Sequence, residues 1–434
     1  MKKFVIHDEA TRGAAEHWLR TCSLQTGASA GLHEKTAAVR EILEAVRTRG
    51  DAAIADLTER FDGVALTPDR FEVRPDELDA ALASIDPGLR GILERAHANI
   101  AHFHARNLRE SWEERQDDGT VIGQRVWPIE RAGVYVPGGK AFYPSSVLMN
   151  IVPAVVAGVD QIVMVSPPSR DGDVHPVVLA AARIAGATRV FRIGGAQAVA
   201  ALAYGTETIP AVLKITGPGN LYVTLAKAQV RGEVEIDSEA GPSEVAVLAD
   251  GQADPDYVAA ELLAQAEHDE EAMCVLLTPS AALAGAVEAR VAAEAQRLPK
   301  RAIIERALDA QGAIIITRDL DEAIALTDLV APEHLSVQTA DPQAAAARIR
   351  HAGAMMLGAY TPVAVGDYYA GPNHILPTGR RARFASPLTA EDFRKVSSVI
   401  QYSEARLRAA ASDIMTFAAA EELDAHARSI AVRL

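Results

Sequence analysis

Five groups of residues in this chain have the types and spacing that chemistry needs. The stretch ending in Gln265-Ala266-Glu267-His268 starts with Asp254, a good N-cap, and Pro255 at the first helical position. On that helix Gln265 and His268 stand three residues apart and share a face, so the pair can grip one metal ion. A helix-end histidine favoured by the helix dipole is the plainer alternative. Pro332-Glu333-His334 sets a carboxylate beside an imidazole, which suits acid–base work and is also common by chance. Gly366-Asp367-Tyr368-Tyr369-Ala370-Gly371-Pro372-Asn373-His374 reads as a shaped loop holding Asp367 and His374 on a tailored backbone. In the tail, Glu422 and His426 have i,i+4 spacing with Glu421 alongside, a pattern equally expected of a surface pair. The fifth group is glycine turns: Pro137-Gly138-Gly139, Gly194-Gly195 and Gly217-Pro218-Gly219-Asn220. Each lets a backbone approach a phosphate closely, or is simply a tight strand-to-helix turn. None is a G-x-G-x-x-G fingerprint, and there is no P-loop. His97, His102 and His104 lie in a charged helical stretch and are expected to be solvated. The other histidines have no partner pattern.

These groups must be positioned by regular elements. Residues 1–130 read mostly as helices. Lys35 to Arg60 and Pro75 to Arg106 carry apolar residues near helical spacing. From Arg131 the pattern changes to alternating strands (Val134–Val136, Gln161–Val165, Arg189–Ile193, Val212–Ile215) and helices (145–158, 176–185, 196–203). It then restarts with strands at 244–248, 273–277, 313–316, 335–338 and 354–357, and helices at 255–268 and 281–297. Such alternation predicts parallel βαβ units, and two consecutive blocks predict a duplicated, doubly wound α/β fold. In open sheets of this kind ligands sit outside the carboxyl ends of the strands, where the glycine turns fall. Around Thr378–Ser386 the chain becomes basic and loop-like, with Arg380, Arg381 and Arg383. A final helical segment follows that is too small to stand alone and is expected to dock on a partner.

Composition narrows the classes. The chain has 434 residues, which suggests roughly three domains at about 150 residues each. Lys plus Arg is 43 and Asp plus Glu is 58, a net charge of −15, which argues against nucleic-acid binding. Cys22 and Cys274 are the only cysteines. They exclude a disulfide framework and a cysteine zinc motif, fit a reducing compartment, and argue against cysteine catalysis. The longest uncharged run, Ala141 to Val159, is broken by prolines, serines and Gly158, so it predicts a buried helix rather than a membrane span. No targeting segment is visible, and a cytoplasmic protein is expected.

Taken together, the motifs resemble the histidinol dehydrogenase family from about residue 35 onward. They are Ala132-Gly-Val-Tyr-Val-Pro-Gly-Gly139 with Tyr143-Pro-Ser-Ser-Val147, Gly194-Gly-Ala-Gln-Ala198, Gly217-Pro-Gly-Asn220, Ala240-Gly-Pro-Ser-Glu-Val245, Gln265-Ala-Glu-His268, Pro332-Glu-His-Leu335 and the segment Gly366 to Thr378. The resemblance implies oxidation of L-histidinol to L-histidine in two NAD-dependent steps through L-histidinaldehyde, the last two steps of histidine biosynthesis. It implies one zinc ion per subunit, held by Gln265, His268, Asp367 and His426, and an acid–base pair, Glu333 and His334. Ser243, Gln265, His268, His334, Asp367, His374, Glu421 and His426 correspond to substrate-binding positions. Tyr135, Gln197 and Asn220 correspond to positions near NAD. The implied fold is two incomplete Rossmann-like doubly wound domains with small helical terminal elements in an intertwined homodimer. The expected division is an N-terminal arm over 1–27, a first domain from 28–130 and 245–380 carrying the zinc and substrate site, a second from 131–244 on the NAD side, and a tail over 381–434 that completes the partner's active site. The first 30 residues match poorly.

The chemistry is consistent with that assignment. Two imidazoles, one carboxylate and one amide oxygen leave a zinc ion net positive, able to take a neutral imidazole or amine and expected to be replaceable by Mn²⁺ or Co²⁺. His334, with an ordinary imidazole pKa near 6.5, suits removal of a hydroxyl proton. With no cysteine in a site motif, the aldehyde must be oxidised after adding water, and Glu333 is the natural group to activate it. Neighbours in a regular strand face opposite ways, so Glu333 and His334 share a site only if Pro332 leaves them in a loop or irregular strand end. Rival readings are a relative acting on another small polar alcohol, a zinc hydrolase and a zinc-stabilised binding protein. The glycine turns have no purpose in the hydrolase, and the Glu333-His334 pair weighs against a mere binder.

Overall fold

The structure is a computed structural model that describes residues 1–22, 31–138, 142–239 and 241–434. Gly139 of the first glycine turn and Ala240 fall outside the described residues. Two six-stranded sheets dominate. The first runs Glu72–Val73, Arg189–Phe191, Gln161–Val165, Arg131–Tyr135, Lys214–Thr216, Glu235–Ile236 in spatial order. All its pairings are parallel except that of the short Glu72–Val73 strand. The second runs Lys2–Val5, Gly312–Ile316, Met273–Thr278, Glu244–Ala249, His334–Gln338, Ala354–Leu357, all parallel. Setting aside the strand each sheet borrows from the N-terminal region, both have the order 3-2-1-4-5. That is the duplicated doubly wound architecture the alternating pattern predicts. The inner strands of both sheets are unbroken apolar runs because helices cover both faces.

The domain division expected from sequence needs correction. Residues 28–130 do not join 245–380. The helices Leu32–Arg49 and Asp51–Asp62 pack on one face of the first sheet, burying Val39, Leu43 and Ile54 with Phe191 and Leu202. The helices Pro75–Ser84 and Pro87–Ala105 cover its other face, burying Leu78, Leu93 and Ile100 with Met149 and Leu179. They pack chiefly on the helices Pro144–Ala157, Pro176–Ala185, Gly195–Tyr204 and Leu221–Val230 that follow the sheet's own strands, adding to the layers on both sides. The start of the chain is likewise no free arm. Lys2–Val5 is an edge strand of the second sheet beside Gly312–Ile316, and helix Glu9–Cys22 buries Ala15 and Leu19 against Ile324 and Leu326.

Two other expectations fail. His104 is not solvated. It is fully buried at the end of helix Pro87–Ala105, neither ring nitrogen has a hydrogen-bond partner, and burial pushes its pKa down to about 4. The C-terminal segment is also not wholly helical. Arg394–Gln401 forms an antiparallel strand on Val121–Pro128, which pairs in turn with Trp112–Arg115 in a small third sheet. Helices Glu404–Ala420 and Asp424–Ala431 follow, with Ile400, Phe417 and Val432 exposed. The segment Pro144–Ala157 is a buried helix, as its composition predicts. No helix among the described residues is long and apolar enough to cross a membrane.

Candidate active site

Helix Leu320–Val330 stops at Ala331, whose left-handed backbone (φ 50°) turns the chain through Pro332 into strand His334–Gln338. Glu333 therefore lies just before the strand, and the rule that neighbours face opposite ways does not bind it. Its side chain reaches back to the edge of strand Glu244–Ala249. Glu333 Oε2 accepts the Glu244 N–H at 2.8 Å, and Glu244 Oε2 accepts the Glu333 N–H at 3.3 Å. The exchange satisfies two strand-start amides that the ladder leaves open. His334 stands beside it, its Nδ1 3.6 Å from Glu333 Oε2 and 3.2 Å from the Glu244 carbonyl oxygen. Glu333 and His334 are 6% and 4% exposed, so their mutual field is poorly screened.

The far nitrogen of the same ring, Nε2, lies 3.3 Å from Asp367 Oδ1. Asp367 is carried by helix Val363–Tyr368. The first N–H of that helix, on Val363, donates to Glu261 Oε2 at 3.0 Å. Glu261 sits one helical turn before Gln265 on helix Pro255–Ala266, so one helix face sets both Gln265 and the Asp367 element. Gln265 is 2% exposed and its amide nitrogen has no partner. Within a protein interior such a group is expected to meet something. His268, exposed just past the helix end, is close enough for its charge to act on Asp367.

The loop after Asp367 carries His374 and spans both domains. Gly371 has φ 112°, and a Cβ there would meet the Asn99 carbonyl oxygen at 2.7 Å, so only glycine fits. Asn99 Nδ2 donates to the Tyr369 carbonyl at 2.8 Å, and Asn373 Nδ2 donates to Met149 O at 2.6 Å. These bonds tie the loop to the first domain. His374 Nδ1 lies 2.9 Å from Asp367 O, and its Nε2 is 3.5 Å from Ser146 Oγ at the start of helix Pro144–Ala157. Ser243 is half-buried and immediately precedes strand Glu244–Ala249, at the same edge as Glu333 and His334.

The electrostatics follow from this packing. Burial alone would push His334 down, but Glu333 and Asp367 together outweigh it and hold the imidazole pKa up, at about 10. Asp367 is pushed up by burial and pulled down more strongly by the His334 hydrogen bond and the neighbouring histidines. Glu244 is driven to about 8 by burial and by Glu333. It also accepts the Gly379 N–H at 2.9 Å. Glu244 and Glu261 are site residues that the sequence reading left without a role. Glu244 stands inside the quoted Gly-Pro-Ser-Glu-Val motif, so its signal was present.

The first domain's sheet offers a different surface. Turns leave the carboxyl ends of strands Arg131–Tyr135, Arg189–Phe191 and Lys214–Thr216 as Pro137-Gly138, Gly194-Gly195 and Gly217-Pro218-Gly219-Asn220. A Cβ on either Gly138 or Gly194 would strike Pro167. Gly217 has φ 111° and a Cβ there would strike the Tyr135 carbonyl. Tyr135 is buried, and its hydroxyl accepts the Gly195 N–H at 3.1 Å. Asn220 caps helix Leu221–Val230 through Oδ1, accepting from Tyr222 and Val223. Gln197 is 1% exposed with its amide nitrogen unpartnered. Lys227 and Asp237 form a buried pair that holds the Gly217 turn from below through Gly217 O and N.

Two predicted site residues are not brought here. Glu421 and His426 are exposed on the C-terminal helical hairpin. Among the described residues no group of three or more His, Cys, Asp or Glu side chains is arranged to hold a metal ion. Both cysteines are buried, and burial drives the Cys274 thiol far up, which leaves it unreactive.

A buried imidazole between two carboxylates on one α/β domain, with glycine turns at the strand ends of the other, is compatible with an α/β oxidoreductase. The histidinol dehydrogenase profile matches residues 27–434. Histidinol dehydrogenase of Heliobacterium mobile is 53% identical over 91% of this chain and 93% of its own, and that of Geobacillus kaustophilus 52% identical over 95% and 97%. A crystal structure of histidinol dehydrogenase from Elizabethkingia anophelis superposes with a TM-score of 0.91 at 32% identity, covering 100% of this chain and 98% of that one. The chain belongs to the histidinol dehydrogenase family.

Proposed function

We propose that the chain catalyses the NAD-dependent four-electron oxidation of L-histidinol to L-histidine through L-histidinaldehyde, in the cytoplasm, as a zinc-loaded homodimer with shared active sites. The observation that carries this reading is the buried Glu333–His334 pair with Asp367 on the far ring nitrogen. The Glu244 carbonyl can only accept, so it fixes a proton on His334 Nδ1 and makes Nε2 the exchanging atom: the ring first loses the Nε2 proton that Glu333 and Asp367 hold on it, and Nε2 then takes the substrate hydroxyl proton. Asp367 stabilises the imidazolium once it forms. Glu333 Oε2 is committed to the Glu244 N–H, which leaves Oε1 to draw a proton from the water that adds to the aldehyde. No cysteine serves this second oxidation.

Gln265, His268 and Asp367 offer an amide oxygen, an imidazole and a carboxylate of the kinds that hold a divalent cation, and His268 and Asp367 are near one another. The fourth ligand is assigned to the partner subunit's His426, and Glu421 to the partner's substrate, which accords with the exposure of both within one chain. When bound, zinc supplies a site for the substrate's imidazole and amine nitrogens. On the domain built on residues 131–236, NAD is assigned to the glycine turns, beside which Gln197 Nε2 and Thr216 Oγ1 are buried without a partner among the described residues. Tyr135 holds Gly195 in place, so its contribution is to shape the turn.

The test is stoichiometric. L-histidinol and NAD are supplied and NADH and histidine are both quantified. Two NADH per histidine is the expected result. No NADH from protein with its full metal content would overturn the reading, and one NADH with released aldehyde would remove the second step.

A further inference from the structure

The basic stretch at Arg380–Arg383 is not used by the chemistry above. Arg381 is paired, its Nη2 3.0 Å from Glu239 Oε2. Arg380 and Arg383 have no carboxylate partner among the described residues. They line a pocket of about 310 Å³ with Arg20, at the end of helix Glu9–Cys22, and Asp328 and His351. Arg380 is 6% exposed and its Nε is buried without a partner. Its backbone is left-handed (φ 61°), which sets the side chain apart from that of Arg381. Arg383 Nε donates to the Arg380 carbonyl at 3.0 Å, so the two guanidinium-bearing residues are held together. The pocket's one acid is already engaged: Asp328 Oδ1 accepts the N–H groups of Arg350 and His351 at 2.7 and 2.9 Å. Arg20 has only a loose contact of 3.7 Å with Glu16.

A chain of net charge −15 thus keeps three guanidinium groups around one pocket against a single carboxylate, Asp328. An arginine cannot shed its proton, so a buried one needs a counter-charge. Burial, then Arg383 and Arg20, act against the Arg380 charge and outweigh the opposite pull of Cys22 and Glu244. We propose that this pocket is a binding site for a phosphate-type oxyanion, whose several acceptor oxygens match the planar donor forks of Arg380, Arg383 and Arg20. The site lies apart from the glycine turns. It adjoins the active centre through the chain itself, since Gly379, next to Arg380, donates to Glu244, which exchanges hydrogen bonds with Glu333. The proposal does not depend on the identity of the oxidised alcohol.

The probe is orthophosphate, titrated calorimetrically into the full-length protein saturated with NAD, against chloride at equal ionic strength. Saturable binding is expected, with competition by sulfate. Arg380→Gln and Arg383→Gln should each weaken it about tenfold or more, as loss of a charge-assisted hydrogen bond does. Arg381→Gln should leave it unchanged. Arg20→Gln, on an exposed helix end, gives a variant whose folding is not at risk. A phosphomonoester, glycerol 3-phosphate, separates the two sources: tighter binding than orthophosphate marks an ester ligand, equal binding a free phosphate. No saturable binding, or binding that is the same in wild type and in the Arg383 and Arg20 variants, overturns the proposal.

Discussion

In the first sheet the turns that leave the carboxyl ends of the central strands are glycine-rich, whereas in the second sheet the same fork is bridged by a carboxylate beside a pocket of about 230 Å³. There Asp250 follows strand Glu244–Ala249 and its two carboxylate oxygens accept the N–H groups of Gln252 and Ala340 at 2.9 and 2.7 Å, bridging to the end of strand His334–Gln338. The second sheet's chemistry lies at its amino ends instead, where Glu244, Glu333 and His334 begin or precede the strands. The strand orders match, so topology does not decide the choice. The available hydrogen-bonding groups do. Carboxyl ends lead into helix N-termini, which present free N–H groups to an anionic ligand. Amino ends present strand N–H groups that the protein's own carboxylates can fill, and those carboxylates are then held for proton transfer. On the proposed assignment, one copy of the topology uses its carboxyl-end turns for the cofactor and the other uses its amino end for acid–base work.

Breaking the amino-end cluster should have the largest effect. His334→Ala is expected to lower kcat for both alcohol and aldehyde oxidation by about 10²–10⁴-fold, with metal content by elemental analysis unchanged. A loss below tenfold would move the base elsewhere. Glu333→Gln should slow the overall oxidation more than it slows aldehyde reduction run backwards, because only the former adds water. Equal losses in both directions would give Glu333 a purely structural part through its Glu244 bond.

The next test asks whether the amino-end cluster is complete within one chain. His268→Ala and His426→Ala should each be nearly inactive. Mixed and reassociated one to one, they should recover about a quarter of wild-type activity, since half of the dimers are mixed and each of those has one intact site. No recovery at any mixing ratio would place the whole site on a single chain.

Much of this contrast was legible in the residues. The apolar runs locate the central strands of both sheets to within three residues but miss the short Glu72–Val73 and Glu235–Ile236, and the strand starting at His334 needed only Pro332 to suggest an irregular entry. What was missed shares one physical cause, long-range pairing. Arg394–Gln401 has no buried face to give it a period and becomes a strand only by pairing with Val121–Pro128. Lys2–Val5 is likewise set by Gly312–Ile316. The ownership of residues 31–105 depends on which sheet's crossover helices they meet, which periodicity does not encode. His104 reads as solvated because its neighbours are charged, yet its own ring points into the core. Glu244 and Glu261 act by accepting backbone N–H groups far away in the chain, and spacing is silent about such partners. The roles of the metal ligands and of Glu421 came from family resemblance, since nothing local singles out an exposed tail.

On the carboxyl-end side of the comparison, Gly217→Ala should disturb the first domain's turn. The added Cβ meets the Tyr135 carbonyl at a backbone angle that side chains rarely adopt, at a cost of about 2 kcal/mol or more. A lower Tm and a raised KM for NAD, with kcat for histidinol less affected, are expected. If the KM for histidinol rose instead, the open turns would belong to the substrate.

Asn220 gives the smallest and most discriminating effect. Its Oδ1 accepts two N–H groups at the start of helix Leu221–Val230, so one role is already visible: it caps. Asn220→Ala removes the cap and should cost about 1 kcal/mol of stability, whatever else Asn220 does. Asn220→Asp separates the roles. A carboxylate caps as well as an amide does, so stability should be retained, but a negative charge now stands where the cofactor's anionic portion is assigned. A raised KM for NAD at unchanged Tm would place the cofactor against this turn. An unchanged KM would restrict Asn220 to capping and move the cofactor toward Gln197, whose buried amide nitrogen has no partner among the described residues.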